Sequence, residues 1–245
     1  MIAYKYDEDL EFLRKLKSSD LNELVEILKG KNGEERISDF LSTNDLFKKF
    51  YPDHKEYIDL IFEEIQRYGG NSILNIFRNG GVLYKEILCD VCNKLKVNYN
   101  KTQSTLFIEQ ALFMKILSDS LDKMSEEELR NISKDLGLNT TKFTSQAIIA
   151  ALRLAIKRSG LMAYKVALIV ANAIAKAILG RGLSLAANVG ITRAIGIFAG
   201  PIGLILMGFW TAIDIAGPAY RVTIPAIIQI AFLRQVYLNK ESGNI

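Results

Sequence analysis

The stretch AIGIFAGPIGLILMGFWTAI, residues 194–213, decides how the rest of the chain is interpreted. It contains no charged residue, and it lies between Arg193 and Asp214. Its twenty residues would span about 30 Å as a helix, which is the thickness of the hydrocarbon core of a bilayer. Gly200-Pro201 lies near its middle, where a helix bends or ends. The stretch is therefore either a broken segment that enters a membrane or a buried helical hairpin in a large apolar core.

Charge is distributed unevenly along the chain. The formal net charge of +4 combines a net −4 over residues 1–145 with a net +8 over residues 146–245. Asp214 is the only acid between Asp135 and Glu241, an interval that contains eleven cations. Burial depletes lysine and arginine as well as acids. The excess of cations therefore indicates contact with an anionic lipid surface or with an acidic partner.

The apolar residues recur at helical spacing, and no segment of the N-terminal half alternates with the period of two that indicates a strand. Asp7 is placed to cap a first short helix, and Ser19 or Asp20 to cap a second. Ser125 and Glu128 have the spacing of a capping box. We predict an all-α fold, a multi-helix bundle with an apolar, glycine- and alanine-rich C-terminal helical core.

Composition divides the chain into three parts. Residues 1–31 are predicted to form a small N-terminal helical module, followed by a polar hinge. Residues 32–143 are predicted to form an acidic helical layer. Residues 144–245 are basic and apolar, and they form either the core of the protein or a membrane-inserting bundle.

The helix predicted over residues 161–179 carries one narrow polar stripe. Lys165, Asn172 and Lys176 are its only strongly polar residues, and at 100° per residue they lie within about 40° of each other. Gly182, Ala186, Gly190 and Ala194 then recur every four residues, and Gly196 and Gly200 form a G-x-x-x-G. This spacing lets helix backbones approach closely in membrane bundles, and soluble cores use the same device.

No set of residues indicates catalysis, a cofactor or a metal. Cys89 and Cys92 form a single C-x-x-C, and His54 is the only histidine. Zinc needs two further ligands, and a redox pair usually lies at a helix N-terminus after a strand. We therefore interpret the cysteines as small buried hydrophobes. We expect no enzyme, no cofactor and no metal, and no binding of nucleic acid, because the cations alternate with apolar residues.

Asp214 and Arg221 are charges in strongly apolar surroundings, where an unpaired charge is costly. They flank Gly217-Pro218, so we predict a structural ion pair across that turn. In a membrane the same pair would be a functional site by default. Thr223 is predicted to cap the last helix, which then extends through a further apolar run.

Three stretches resemble the YaaW-like family of bacterial proteins. They are YDEDLEFLRKLKSSDLNELVEIL (residues 6–28), YGGNSILNIFRNGGVLYKEILCDVCNKLK (residues 68–96) and WTAIDIAGPAYRVTIPAIIQIAFLR (residues 210–234). The family is grouped distantly with ubiquinol–cytochrome c chaperones. The resemblance implies an all-helical, non-catalytic protein that handles an apolar client at a membrane, and it implies no catalytic residues.

Two functions remain in competition. In the first, the protein is cytoplasmic and associates reversibly with anionic membranes through its C-terminal helices. Its role would be that of a membrane-perturbing effector. In the second, it is a soluble chaperone, assembly factor or scaffold that binds an apolar protein partner. Either function is compatible with a homo-oligomer of this chain. The residues predicted to contact the membrane or partner are Lys165, Lys176, Arg193, Gly200, Pro201 and Trp210.

Overall fold

The computed structural model describes residues 4–29, 40–70, 81–183, 191–213 and 220–245. Within these ranges the chain forms helices, turns and loops and contains no strand, so the all-α prediction is confirmed. The α-helices are α1 (Asn22–Lys29), α2 (Phe40–Thr43), α3 (Asp45–Phe50), α4 (Ile58–Gly70), α5 (Tyr84–Lys94), α6 (Thr105–Leu121), α7 (Glu126–Asp135), α8 (Ser145–Arg158), α9 (Gly160–Leu179), α10 (Thr192–Ile213) and α11 (Tyr220–Glu241). Short 3-10 helices cover Glu11–Lys15, Ser18–Leu21 and His54–Tyr57.

Helices α9 and α11 form the centre of the fold. Twelve of the twenty residues of α9 are buried, as are fourteen of the twenty-two residues of α11. Helix α9 packs mainly against α10 and α11, and α11 also packs against α1, α4, α5 and α6. The apolar C-terminal helices therefore supply the core, and the acidic helices pack around it. The division at residues 31 and 143 stays a prediction.

The segment before α1 is attached to the rest of the fold by polar and aromatic contacts. Asp7 was predicted to cap a first helix, but that helix is only a 3-10 turn. The Asp7 Oδ2 atom instead accepts a hydrogen bond from the backbone N–H of Tyr84, at 2.6 Å. Tyr84 is the first residue of α5. Asp7 therefore caps a helix that lies far away in the sequence, satisfying a donor that would otherwise be orphaned.

A side-chain clamp joins Lys5 to α4. The Gln66 side chain donates to the Lys5 carbonyl at 2.7 Å and accepts from the Lys5 N–H at 2.9 Å. A Cβ atom at Gly81 would lie 2.2 Å from Gln66 Oε1, so only glycine fits beside this clamp. Gly81 thus permits a close approach between its backbone and the Gln66 side chain.

The local cap at α7 follows the prediction. The Ser125 N–H donates to Glu128 Oε2 at 2.8 Å, and the Glu128 N–H donates to Ser125 Oγ at 3.3 Å. Both bonds lie within four consecutive residues, so the sequence pattern contains all the partners that it needs.

Two predictions about the last two helices are wrong: the break at Gly200-Pro201 and the cap at Thr223. Helix α10 continues through Gly200-Pro201, although proline removes one intrahelical hydrogen bond. Phe198 and Ile202 are fully buried on either side of the proline, and their packing holds both halves of the helix in line. Helix α11 begins at Tyr220, so Thr223 is an internal residue and not its cap.

Candidate binding surface

Helix α10 has an apolar outer face as well as an apolar inner face. Its inner residues are buried against α6, α7 and α9: they are Ala194, Ile195, Phe198, Ile202, Ile205 and Leu206. Its outer residues, which we call the α10 face, are Gly196, Gly200, Leu204, Met207 and Gly208. Leu204 and Met207 are 60% and 61% exposed. A surface helix of a soluble fold normally carries polar residues at such positions.

The glycines of the α10 face are not used for helix packing within the described part of the chain. A Cβ atom placed on Gly196 or Gly200 would meet no described atom within 4 Å, and the same is true at Gly203 and Gly208. The predicted small-residue spacing therefore forms a shallow ridge on the surface. A second helix could approach the α10 backbone closely along this ridge, because none of the described side chains stands in the way.

Three of the predicted contact residues lie on or beside this face. Gly200 is exposed and Pro201 is half-buried. Arg193 is exposed in the first turn of α10, and at 100° per residue it points into the same sector as Gly196 and Gly200. The side chain of Trp210 lies outside the described residues. The role of all these residues in binding stays a prediction.

The polar stripe of α9 is divided by the fold. Asn172 is buried, and its Oδ1 accepts a hydrogen bond from the N–H of Leu183 at 2.8 Å. Lys165 is half-buried and Lys176 is exposed. The stripe is therefore not one continuous basic surface. Its central residue, Asn172, instead stabilises the turn after α9 through the hydrogen bond with Leu183.

Some cations of the basic segment, residues 146–245, form ion pairs with acids of residues 1–145. These ion pairs are Arg181–Glu23 at 3.3 Å, Arg234–Glu109 at 2.9 Å and Lys240–Asp20 at 2.8 Å. Lys165, Lys176 and Arg193 have no ion pair among the described residues. Part of the positive charge of residues 146–245 is thus paired within the chain, and contact of Lys165, Lys176 and Arg193 with a partner stays a prediction.

The most buried of these ion pairs joins three helices. Arg234 of α11 donates to both carboxylate oxygens of Glu109 in α6, at 3.0 and 2.9 Å. Tyr84 of α5 donates to the same carboxylate at 2.6 Å, and Arg234 also donates to the carbonyl of Asp9 at 2.7 Å. Burial, together with the adjacent Glu109 carboxylate, raises the pKa of Tyr84, so the phenol keeps its proton and donates.

No pattern in the sequence indicates the cluster of Arg234, Glu109 and Tyr84. Glu109 is fully buried, and the Arg234 side chain is only 12% exposed. An arginine inside an apolar helix is a signal that a buried acid is needed. No spacing rule, however, identifies an acid 125 residues away as that partner.

The cysteine pair and the histidine occupy structural positions. Cys89 and Cys92 are free, buried and inside α5, as predicted. Burial raises the pKa of Cys92 to about 12, which keeps it protonated and unreactive at neutral pH. His54 Nε2 is 2.7 Å from Asn22 Oδ1, and Nδ1 contacts the Tyr57 hydroxyl. No group of three possible metal ligands occurs among the described residues.

The ion pair between Asp214 and Arg221 stays a prediction, because Asp214 lies outside the described residues. Arg221 itself is exposed in the first turn of α11.

Two described helices are long and apolar enough to cross a membrane, and the described part of α10, Thr192–Gly208, is a shorter apolar helix. They are α9, with 67% of its most apolar window buried in the fold, and α11, with 78% buried. Core helices of soluble proteins have the same composition. Association with a membrane therefore stays a prediction.

Comparison with known proteins identifies the family. A UPF0174 protein of Helicobacter pylori strain J99 is 52% identical over 235 residues, which cover 95% of this chain and 93% of the relative. The UPF0174 protein YaaW of Escherichia coli K12 is 34% identical over 241 residues, covering 96% and 97%. The chain belongs to the UPF0174 family. This confirms the resemblance drawn from the sequence.

Two family models match this UPF0174 protein. Residues 4–37 match a domain of unknown function (DUF3944), and residues 53–228 match the family described as "Ubiquinol-cytochrome C chaperone". The second match spans most of the chain, so the protein also belongs to that wider family. It includes α4 to α10 and thus the α10 face. No solved structure matches the chain.

Proposed function

We propose that this protein is a chaperone-type binding protein without catalytic activity, and that it holds an apolar helix of a client protein against the α10 face. The observation that carries the proposal is the uncharged outer surface of α10, with Leu204 60% exposed beside a glycine ridge. The description of the matched chaperone family supports the same class of function.

The shape of the α10 face favours a helix as the occupant. Gly196 and Gly200 are one turn apart, with no described atom within 4 Å of their missing Cβ positions. Such a ridge lets the backbone of a second helix approach, so that many weak van der Waals contacts form along it. The face offers no charge between residues 194 and 208, so it complements an apolar helix and not a charged one.

The internal contacts of α9 and α11 argue against a function in which these helices leave the fold. Moving α11 into a bilayer would separate Arg234 from Glu109 and leave a fully buried carboxylate without its cation. Breaking a buried ion pair costs about 3–5 kcal/mol. Helix α10 presents an apolar surface without any such rearrangement.

A crosslinking experiment tests the proposal. A photoreactive residue replaces Leu204 in one sample and Leu154 of α8, which is 50% exposed, in a matched control. Each is irradiated with a lysine-flanked polyleucine helix as the client probe. We expect crosslinks from position 204 and not from position 154. In the same assay Leu204→Glu should remove protection of the probe from aggregation, whereas Leu154→Glu should not.

Equal crosslinking from both positions would mean that the probe sticks to any exposed leucine, and the proposal would then be wrong. A second copy of the chain is also a possible occupant of this face. A concentration-dependent dimer in analytical ultracentrifugation that dissociates in Leu204→Glu would assign the α10 face to self-association.

An anionic membrane surface is the second candidate function, and the free cations favour it. Arg193 lies at the start of the α10 face, and neither it nor Lys176 has an ion pair among the described residues. A cation beside an apolar face is typical of reversible, interfacial association. In this case the protein would be cytoplasmic and bind membranes only under some conditions.

Flotation separates the two candidates. Purified protein is mixed with vesicles that contain or lack anionic lipid. Membrane association requires flotation with anionic vesicles that is reduced in Lys176→Glu/Arg193→Glu. Absence of flotation in every lipid mixture, together with crosslinking of the client helix, supports the chaperone.

A further inference from the structure

A concave surface lies between α6 and α8 and shares no lining residue with the α10 face. It is an open groove of about 420 Å³, and its lining also includes Val97 and Asn98. Pockets for small ligands begin at roughly 300 Å³. The groove volume therefore lies within the range of small-ligand sites.

The floor of the groove is apolar. Phe107, Ala111 and Met114 lie at helical spacing on one face of α6, and Ile156 of α8 lies opposite. Phe107 is 58% exposed, and the other three are half-buried. The fold thus leaves a strip of aromatic and aliphatic surface partly in contact with water, which an acyl chain would cover favourably.

One edge of the groove carries unpaired positive charge. Arg153 and Lys157 lie one turn apart on α8 and both line the groove. Both are exposed, and neither has an ion pair among the described residues. The lysine on the α6 side differs, because Lys115 binds Asp119 at 2.6 Å. The available charge is therefore confined to the α8 edge.

We propose that this groove binds a single-chain amphiphile with an anionic head. The acyl chain would lie on the floor formed by Phe107, Ala111, Met114 and Ile156. A carboxylate or phosphate head would bind Arg153 and Lys157, since a guanidinium donates two parallel N–H bonds to two oxygens of either group. The site is independent of the client-binding function proposed for α10.

Calorimetric titration of the full chain with three probes tests the site. The probes are decanoate, decyl phosphate and decanol, all below their aggregation limits, and they share one chain and differ in the head. We expect both anionic probes to bind at least about tenfold more tightly than decanol, because charge-assisted hydrogen bonds are the stronger ones. The ratio of the two anionic affinities then identifies the preferred head.

Two variants locate the site. Arg153→Gln/Lys157→Gln should lower the affinity for both anionic probes about tenfold, so that they bind no more tightly than decanol. Lys123→Gln/Lys142→Gln makes the same change of net charge at exposed residues outside the groove, and it should leave all three affinities unchanged. Ala111→Trp fills the floor and should abolish binding of every probe, while thermal unfolding confirms that the variant remains folded.

Several results would overturn the proposal. These are absence of binding by both anionic probes, equal affinity for decanol, and an unchanged affinity in Arg153→Gln/Lys157→Gln. Binding of an acidic amphipathic peptide without binding of decanoate would assign the groove to a protein helix instead. None of these results bears on crosslinking at Leu204, so the two proposals fail separately.

Discussion

Helices α10 and α11 have the same length, yet the fold buries α11, the less apolar of the two, more completely. Both contain twenty-two residues and an internal proline. Helix α11 is buried on nearly every side, and its arginine binds a glutamate of α6. Helix α10 buries one face and exposes another that is equally free of charge. The hydropathy of a helix therefore does not by itself determine where in the molecule it lies.

The difference follows from the few polar residues in each helix. Helix α11 carries Arg234 and Asn239, and both have partners: Asn239 donates to the carbonyl of Gln235 at 2.9 Å, and Arg234 binds Glu109. The Asn239 bond lies within α11, whereas the Arg234–Glu109 pair fixes α11 to α6. The described outer face of α10 has no polar side chain after Arg193, and its described packing contacts are the apolar ones of its inner face.

The largest expected effect is on the ion pair that anchors α11. Arg234→Met leaves Glu109 buried without a cation, so we expect a loss of about 3–5 kcal/mol in the free energy of unfolding. Urea denaturation followed by circular dichroism measures it. The double variant Arg234→Met/Glu109→Leu should recover most of this loss, because two apolar side chains replace the pair. If the double variant is as unstable as the single one, the charge is not the cause.

The same truncation in the two helices should give different results. Leu233 of α11 is fully buried and Leu204 of α10 is 60% exposed. We expect Leu233→Ala to cost about 2–5 kcal/mol and Leu204→Ala less than about 0.5 kcal/mol. Thermal unfolding of both variants provides the comparison. A large loss for Leu204→Ala would show that the α10 face is covered in solution by another part of the chain or by a second copy.

A smaller effect is expected at the end of α11. Lys240 donates to Asp20 at 2.8 Å, and Asp20 is buried while Lys240 is partly exposed. Lys240→Gln should cost about 1 kcal/mol, and the loss should shrink as salt screens the pair. Lys176→Gln is the control, because Lys176 has no ion pair among the described residues. Equal stability changes in both variants would indicate a general charge effect.

The smallest effect concerns pH. Burial lowers the pKa of His54, whereas the unfolded chain keeps the ordinary value of about 6.5. The unfolded state therefore binds more protons as the pH falls through about 6.5, and the free energy of unfolding decreases there. The pH dependence of the urea midpoint should be shallower in His54→Gln than in the wild type. Parallel curves would contradict this assignment.

The helical class and the local caps could be predicted from the sequence because their partners are close along the chain. Ser125 and Glu128 contain a complete capping box within four residues, and the period of the apolar residues indicates helices without any tertiary information. The sequence also identified residues 194–213 as the distinctive stretch, and α10 is the helix with the exposed apolar face.

The remaining features depend on contacts between distant segments. Asp7 caps α5 and Glu109 binds Arg234, across 77 and 125 residues, and no local pattern encodes such pairs. The break predicted at Gly200-Pro201 is absent because tertiary packing of Phe198 and Ile202 outweighs the local preference of proline. The groove between α6 and α8 was also missed, since its two walls belong to helices that are not adjacent in the sequence.

The position of α11 has a consequence for synthesis of the protein. It is synthesised after all of the helices that it packs against, which are α1, α4, α5, α6 and α9. Until residues 220–241 emerge, the nascent chain has no arginine for Glu109 and no cover for much of the apolar surface of these helices. These helices therefore complete their packing only after residues 220–241 have emerged, and nascent chains stalled before residue 220 should be cleaved by protease much faster than chains that include α11.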